Sequence, residues 1–349
     1  MIPRLPNVEY RPAWQSILAQ AVKSTGELLR LLEIDPETMN ILPLDSDFPL
    51  RVPRGFISRM VRGDINDPLL RQVLPLQDEM QQGIGYQPDP LDEQQAIQVP
   101  GLLQKYKGRA LLTTTGACAV HCRYCFRRHF PYSEANPAVD DWEQSITWIK
   151  QNPDIREIIL SGGDPLSLPD SRLHTLGKRL DELPRLHTLR IHTRLPIVLP
   201  ERIDDGFLSW VEAQKLQVVM VMHSNHPHEI DASVSFAMGR LKQAGVTLLN
   251  QSVLLRGVND SAATLIRLSE ALFAAGVLPY YLHQLDRVQG AAHFEVSDAT
   301  AIALMEEVHA ALPGYLVPRL VRELPGEPGK KSLHPGKIPD IQPRVAYNS

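Results

Sequence analysis

Cys118, Cys122 and Cys125 are the only cysteines in the chain, and they stand together in Gly116-Ala-Cys118-Ala-Val-His-Cys122-Arg-Tyr-Cys125-Phe-Arg-Arg. A disulfide framework uses an even number of scattered cysteines, whereas three thiols in one loop can converge on one metal centre. Two centres are open. Structural zinc takes four protein ligands, and His121 or His129 would complete a Cys3His set that makes the loop a zinc-binding interaction module. An iron–sulfur cube normally takes four thiolates, so three leave one iron free to bind a small molecule.

Two further runs have chemical potential. Ser161-Gly162-Gly163-Asp164-Pro165 carries paired glycines, which let backbone approach a ligand closely or make a plain strand-to-helix turn. Near the carboxyl end, Gly326-Glu-Pro-Gly-Lys330-Lys331 puts a lysine on a Gly/Pro-rich loop. Such a lysine is either solvated or, once deprotonated, an amine able to join a cofactor aldehyde.

The elements that must position these residues follow from periodicity. From Arg109 onward, β-prone runs at 109–115, 157–160, 188–194, 217–223, 246–255 and 278–283 alternate with amphipathic segments at 140–151, 170–183, 205–214, 231–244, 261–275 and 298–312. The amphipathic segments carry apolar residues at three-to-four spacing and often open near Asp or Ser. Six strand–helix units in succession predict a parallel α/β sheet, either open and doubly wound or curled into a barrel. In either fold functional residues gather at the carboxyl ends of strands, where the cysteine loop and the Ser161–Asp164 run both fall. Residues 1–107 read as a helical N-terminal extension with apolar helical spacing over 14–34 and a short helix near 56–61, and carry no assigned chemistry. The core unit spans 108–313, and 314–349 is a C-terminal segment bearing the lysine loop.

A chain of 349 residues, 43% hydrophobic and 22% charged, matches a globular enzyme able to bury a large core. Its net charge of −4 argues against non-specific nucleic-acid binding. The start lacks the apolar run of a secretory signal, and no stretch approaches the ~20 apolar residues of a membrane span. A cytoplasmic location is expected, where thiols stay reduced.

The Cys118–Cys125 spacing, the aromatic and arginine residues after it and the Ser161–Asp164 run together resemble the radical S-adenosylmethionine (SAM) enzymes. Longer motifs narrow the resemblance to the lysine 2,3-aminomutases: Pro100-Gly-Leu-Leu-Gln-Lys-Tyr, Arg190-Ile-His-Thr-Arg-Leu-Pro-Ile-Val, Asn250-Gln-Ser-Val-Leu-Leu-Arg-Gly-Val-Asn-Asp and Pro279-Tyr-Tyr-Leu-His-Gln-Leu-Asp-Arg-Val-Gln-Gly. The resemblance implies a partial (β/α)6 radical SAM barrel and a [4Fe-4S] cluster on the three cysteines. It places SAM against the cluster and Ser161, Gly162, Gly163 and Asp164. Pyridoxal 5′-phosphate (PLP) is implied as a Schiff base on Lys330, with Arg109 and Gln251 as further PLP contacts. Lys331 is adjacent, and Lys337 sits in a second Pro-Gly-Lys-Ile-Pro of similar pattern.

The implied reaction is a 1,2 shift of the amino group of L-lysine, giving β-lysine. A 5′-deoxyadenosyl radical from SAM removes a β hydrogen from PLP-held lysine, the nitrogen migrates, the hydrogen returns and SAM is regenerated. Arg127 matches the arginine that receives the substrate carboxylate, and Asp286 and Glu323 match two acids that receive its ammonium. Glu323 departs from the aspartate the free-lysine enzymes carry there. The Gly326–Lys330 loop and the modest length resemble the bacterial branch that supplies β-lysine for modifying elongation factor P. This implies a functional link to that factor and its lysine ligase, with an electron donor such as flavodoxin. No cysteine is left for a structural zinc, so none is expected. Arginine is the chemically allowed alternative substrate; glutamate is disfavoured by Asp286 and Glu323.

Overall fold

The computed structural model describes residues 13–41, 48–132 and 142–334. Its centre is one sheet of ten strands in sequence order. They are β1 (Ile97–Val99), β2 (Leu102–Tyr106), β3 (Arg109–Thr115), β4 (Glu157–Gly162), β5 (Thr188–Thr193), β6 (Gln217–His223), β7 (Thr247–Val253), β8 (Leu278–His283), β9 (Arg319–Arg322) and β10 (Lys331–Ser332). Strands β3 to β9 run parallel, whereas β1 and β2 form an antiparallel hairpin on one edge and β10 pairs antiparallel with β9 at the other.

The six expected units are all present. Helices Glu143–Gln151, Asp170–Asp181, Asp205–Glu212, Ala232–Gln243, Ala262–Ala274 and Asp298–Ala311 follow β3 to β8 in turn. Four start where a side chain satisfies an orphan amide: Asp204 accepts from Phe207 N, Asp231 from Val234 N, Ser261 from Thr264 N and Ser297 from Thr300 N. Such caps fix where a helix begins. The result is a mixed α/β partial barrel. Lys105 on β2 and Glu323, just after β9, meet at 2.9 Å. The sheet therefore curls until its two ends face each other, although no strand pair joins them among the described residues.

Two readings change. Residues 97–106, expected inside a helical extension, form the β1–β2 hairpin, because Gly101 at φ +77° provides the tight turn and β3 offers an open edge for pairing. The apolar run before the lysine loop is β9, a seventh parallel strand. The helical part of the N-terminal segment, with Ala13–Ala19, Thr25–Leu31 and Arg54–Ile57, shares the barrel's core: Trp14, Leu28, Val52 and Phe56 are buried in one cluster with Leu189, Met220 and Leu248. Arg59 Nη1 also donates to the carbonyls of Ile197 and Glu229, tying the segment to loops beyond β5 and β6.

Candidate active site

The cysteine loop leaves the end of β3 without regular structure, so its shape depends on what grips it. Cys125 N donates to Cys122 O to close a tight turn. From the N-terminal segment, the carbonyls of Arg51 and Gln72 accept from His121 N and Arg123 N. Buried Glu79 takes the Arg123 guanidinium at 2.7 and 2.5 Å and Arg128 at 2.8 Å. Cys122 Sγ accepts from Arg194 Nη1 at 2.8 Å. Burial, then the other thiols, raises Cys118 well above the ordinary range and Cys125 to about 11. Added positive charge, which a metal centre supplies, would lower them and favour the thiolates.

The donor set fits an iron cube better than zinc. His121 Nδ1 lies 2.7 Å from Pro49 O with its ring stacked on Phe48, and His129 Nε2 lies 3.4 Å from Gln289 O. Both histidines are thus engaged elsewhere. Among the described residues no three His, Cys, Asp or Glu side chains gather tightly enough for a single ion. A cube takes each thiolate through a different iron and so needs a wider triangle.

The glycine pair at the end of β4 lets the backbone of the cysteine loop come close. Gly163 N and Asp164 N donate to Thr115 O and Ala117 O at 2.7 and 2.8 Å, stitching this loop to the cysteine loop. A Cβ on Gly163 would stand 2.4 Å from Ala117 O, and one on Gly162, at φ +116°, 2.8 Å from Thr115 O. Asp164 accepts from Leu166 N and Thr193 Oγ1 on one oxygen and from Arg194 N and Leu195 N on the other. Asp164 thereby holds the loops after β4 and β5 together. Ser161 Oγ accepts from Arg127 Nη1 at 2.8 Å.

Across the cavity runs a chain of alternating charges. Arg127 meets Glu93 through Nε and Nη2 at 2.6 and 2.8 Å. Glu93 also meets Lys105 Nζ at 3.0 Å, Lys105 meets Glu323 Oε1 at 2.9 Å, and Lys330 Nζ meets Glu323 Oε2 at 2.5 Å. Burial pushes Glu93 and Glu323 up, but Arg127 in the first case and Lys330 in the second, each joined by Lys105, offset it and hold both below the ordinary carboxylate value. Asp286 lines the same space with no side-chain bond to any described residue. Burial, then repulsion from Glu323, raises it to about 7. An incoming ammonium would supply a countercharge that lowers it again.

Arg109 also lines the cavity, its guanidinium 4.5 Å from the Tyr106 ring centroid. It has no carboxylate partner among the described residues, whereas cavity arginines 127, 128, 190 and 194 each have one. Gln251 Nε2 lies 2.7 Å from His223 Nε2, and burial keeps His223 neutral by lowering it to about 3. His192 Nε2 and His283 Nε2 are buried and without a partner. An unpaired guanidinium and orphaned imidazole nitrogens lining the same cavity are donors and acceptors that the phosphate and ring of PLP could use. Lys331 instead turns to Glu327 at 2.7 Å, and Lys337 lies outside the described residues.

Cys118, Cys122, Cys125, Arg127, the Ser161–Asp164 run, Arg109, Gln251, Asp286, Glu323 and Lys330 all line one cavity of ≈ 560 Å³, whereas His129 and Lys331 do not. Glu93 and Lys105 were missed because their segment was read as a helical extension. The signal lay in Pro100-Gly-Leu-Leu-Gln-Lys-Tyr: read as a strand, it puts Leu103 and Lys105 on one face, and both line the cavity.

The Radical SAM superfamily is matched over residues 112–205. The chain is 51% identical over 329 residues to an L-lysine 2,3-aminomutase of Escherichia coli (strain K12), covering 94% of this chain and 96% of that one. A Haemophilus influenzae protein of the same name is 45% identical over 331 residues, covering 95% and 98%. One from Clostridium subterminale is 35% identical over 327 residues, covering 93% and 78%. With the thiol loop, the glycine run and Lys330 gathered around one cavity of a partial barrel, and with these likenesses spanning nearly its whole length, the chain belongs to the L-lysine 2,3-aminomutase family of radical SAM proteins.

Proposed function

We propose that this protein is an isomerase that converts L-lysine to β-lysine by moving the amino group from the α to the β carbon, using a [4Fe-4S] cluster, SAM and PLP. The observation that carries the reading is the shared cavity. Three thiols, a lysine on a loop, a guanidinium and an acid free of partners all open into one space of ≈ 560 Å³.

When bound, the cluster and SAM supply a carbon radical able to remove hydrogen, and PLP supplies the linkage across which nitrogen migrates. The residues then divide the work. Cys118, Cys122 and Cys125 hold the cluster, and Arg194 donates a hydrogen bond to one of their sulfurs. The loop Ser161–Asp164 brings its backbone to SAM, with Asp164 securing the loop. Lys330 tethers PLP, and Arg109 and Gln251 receive its polar edges. Arg127 takes the substrate carboxylate through the N–H groups that Glu93 and Ser161 leave over. An ammonium at the far end of the substrate keeps Asp286 ionised. Segments 1–107, 108–313 and 314–349 each contribute: Glu93 and Lys105 from the first, the thiols and Arg127 from the second, Glu323 and Lys330 from the third.

The product serves the modification of elongation factor P in the cytoplasm, with the factor's lysine ligase downstream and a flavodoxin-type donor reducing the cluster. The likeness to the elongation factor P branch supports this, together with the Gly326–Lys330 loop. Reduced, reconstituted protein given SAM, PLP and isotopically labelled L-lysine under anaerobic conditions should yield labelled β-lysine before any factor or ligase is added. No labelled β-lysine would overturn the reading. Product only from lysine already joined to the factor would overturn the free-lysine part alone.

A further inference from the structure

Each Glu323 oxygen has a resident cation. One is taken by Lys105 and the other by Lys330, while Asp286, in the same cavity, has no side-chain partner among the described residues. We propose that Glu323 is the holding site for the Lys330 amine when that amine is not joined to the cofactor, that Lys105 is a resident countercation fixing Glu323 for this task, and that Asp286 alone receives the substrate's side-chain ammonium. This rests on the aminomutase reading and deepens it by dividing the roles of the two acids.

Three observations converge. Lys105 comes from β2 and Glu323 from the end of β9, so their contact spans the gap between the sheet's two ends and is fixed by the barrel's curl. Lys105 is held a second time by Glu93, which Arg127 anchors in turn. A side chain locked at both ends in a buried site does not yield its partner cheaply, because either carboxylate would be left short of charge. Finally, Glu323 and Lys330 lie on the two arms joining β9 to β10, strands paired through Arg322 and Lys331. The hairpin thus sets the two residues beside each other, and an amine freed from the cofactor finds its acceptor within the same turn. The ammonium of a bound lysine needs an acid without a resident cation, and Asp286 meets that requirement. A glutamate at 323 reaches both lysines at once.

The test measures equilibrium binding of L-lysine and of L-norleucine, which has lysine's four side-chain carbons but no terminal ammonium, to the PLP-loaded protein without SAM. PLP absorption reports binding, so turnover is not needed. The unaltered protein should prefer L-lysine. Asp286→Asn should lower that preference about tenfold or more, the loss of a charged hydrogen bond. Glu323→Gln should change it less than about threefold, and Glu323→Ala serves in its place if the glutamine variant does not fold. Lys105→Met, which frees one Glu323 oxygen, should bring Glu323 within reach of the ammonium, so that Asp286→Asn costs less in that background than alone. Equal collapse of the preference in Asp286→Asn and in the Glu323 variant would overturn this division while leaving the aminomutase reading standing. No preference for L-lysine in the unaltered protein would overturn both.

Discussion

Glu93 grips Arg127 through two parallel hydrogen bonds, 2.6 Å to Nε and 2.8 Å to Nη2, with both side chains buried. The carboxylate comes from the segment before the β1–β2 hairpin and the guanidinium from the cysteine loop. The pair therefore ties the entrance of the chain to the centre of the site and sets which N–H groups Arg127 can offer a ligand.

Glu93→Ala leaves a buried guanidinium with only Ser161 as a neutral acceptor and releases Lys105 from one anchor. Removing one partner of a buried pair costs about 3–5 kcal/mol. Urea unfolding should show a loss of that order. The KM for L-lysine should rise, because the freed guanidinium no longer presents a fixed edge. Unchanged stability would show that the pair is not formed in solution.

Gly163→Ala brings a Cβ to 2.4 Å from Ala117 O, a backbone atom that cannot swing away. The glycine loop and the cysteine loop must separate, breaking the bonds from Gly163 N and Asp164 N. Iron and sulfide bound per chain after anaerobic reconstitution should fall several-fold. A full complement of iron in this variant would show that the two loops do not need each other.

Asp286 supplies a signed pH effect. Folding raises its pKa from the ordinary 3.8 to about 7, so the native state holds that proton more tightly than the unfolded chain does. The resulting advantage is complete below about pH 4 and is lost as the pH rises to about 7. In the ligand-free protein Asp286→Asn should therefore be more stable than the parent at pH 8, by up to about 4 kcal/mol, and should match it near pH 4. Urea unfolding across that range decides it. A difference that does not change with pH would remove the shifted carboxyl.

Of the two adjacent loop lysines, Lys330 lines the cavity, while Lys331 pairs with Glu327 outside it. Borohydride reduction of the PLP-loaded protein, followed by digestion and mass mapping, should put the pyridoxyl group on Lys330, and Lys330→Ala should abolish the label. Label on Lys337 would move the tether into the C-terminal tail.

What the sequence determined was local in origin. The thiol spacing, the Ser161–Asp164 run and the strand–helix alternation each depend on residues a few positions apart. Strands at 109–115, 217–223 and 278–283 were legible to the residue, since periodicity and capping are properties of short windows. Family motifs were legible for the same reason, and they led to Arg127, Asp286, Glu323 and Lys330.

Tertiary structure alone decided what those residues do to one another. Lys105 and Glu323 stand 218 positions apart, and only the curl of the sheet makes them neighbours. Glycine 163 was readable as a place where something comes close, but not that the something is the carbonyl of Ala117. Aspartate 164 was readable as part of a cofactor loop, but not that its carboxylate also fastens the loop after β5. Nor could any window show that Glu323 holds two lysines while Asp286 holds none, because a charge acquires its role from partners that distant strands deliver.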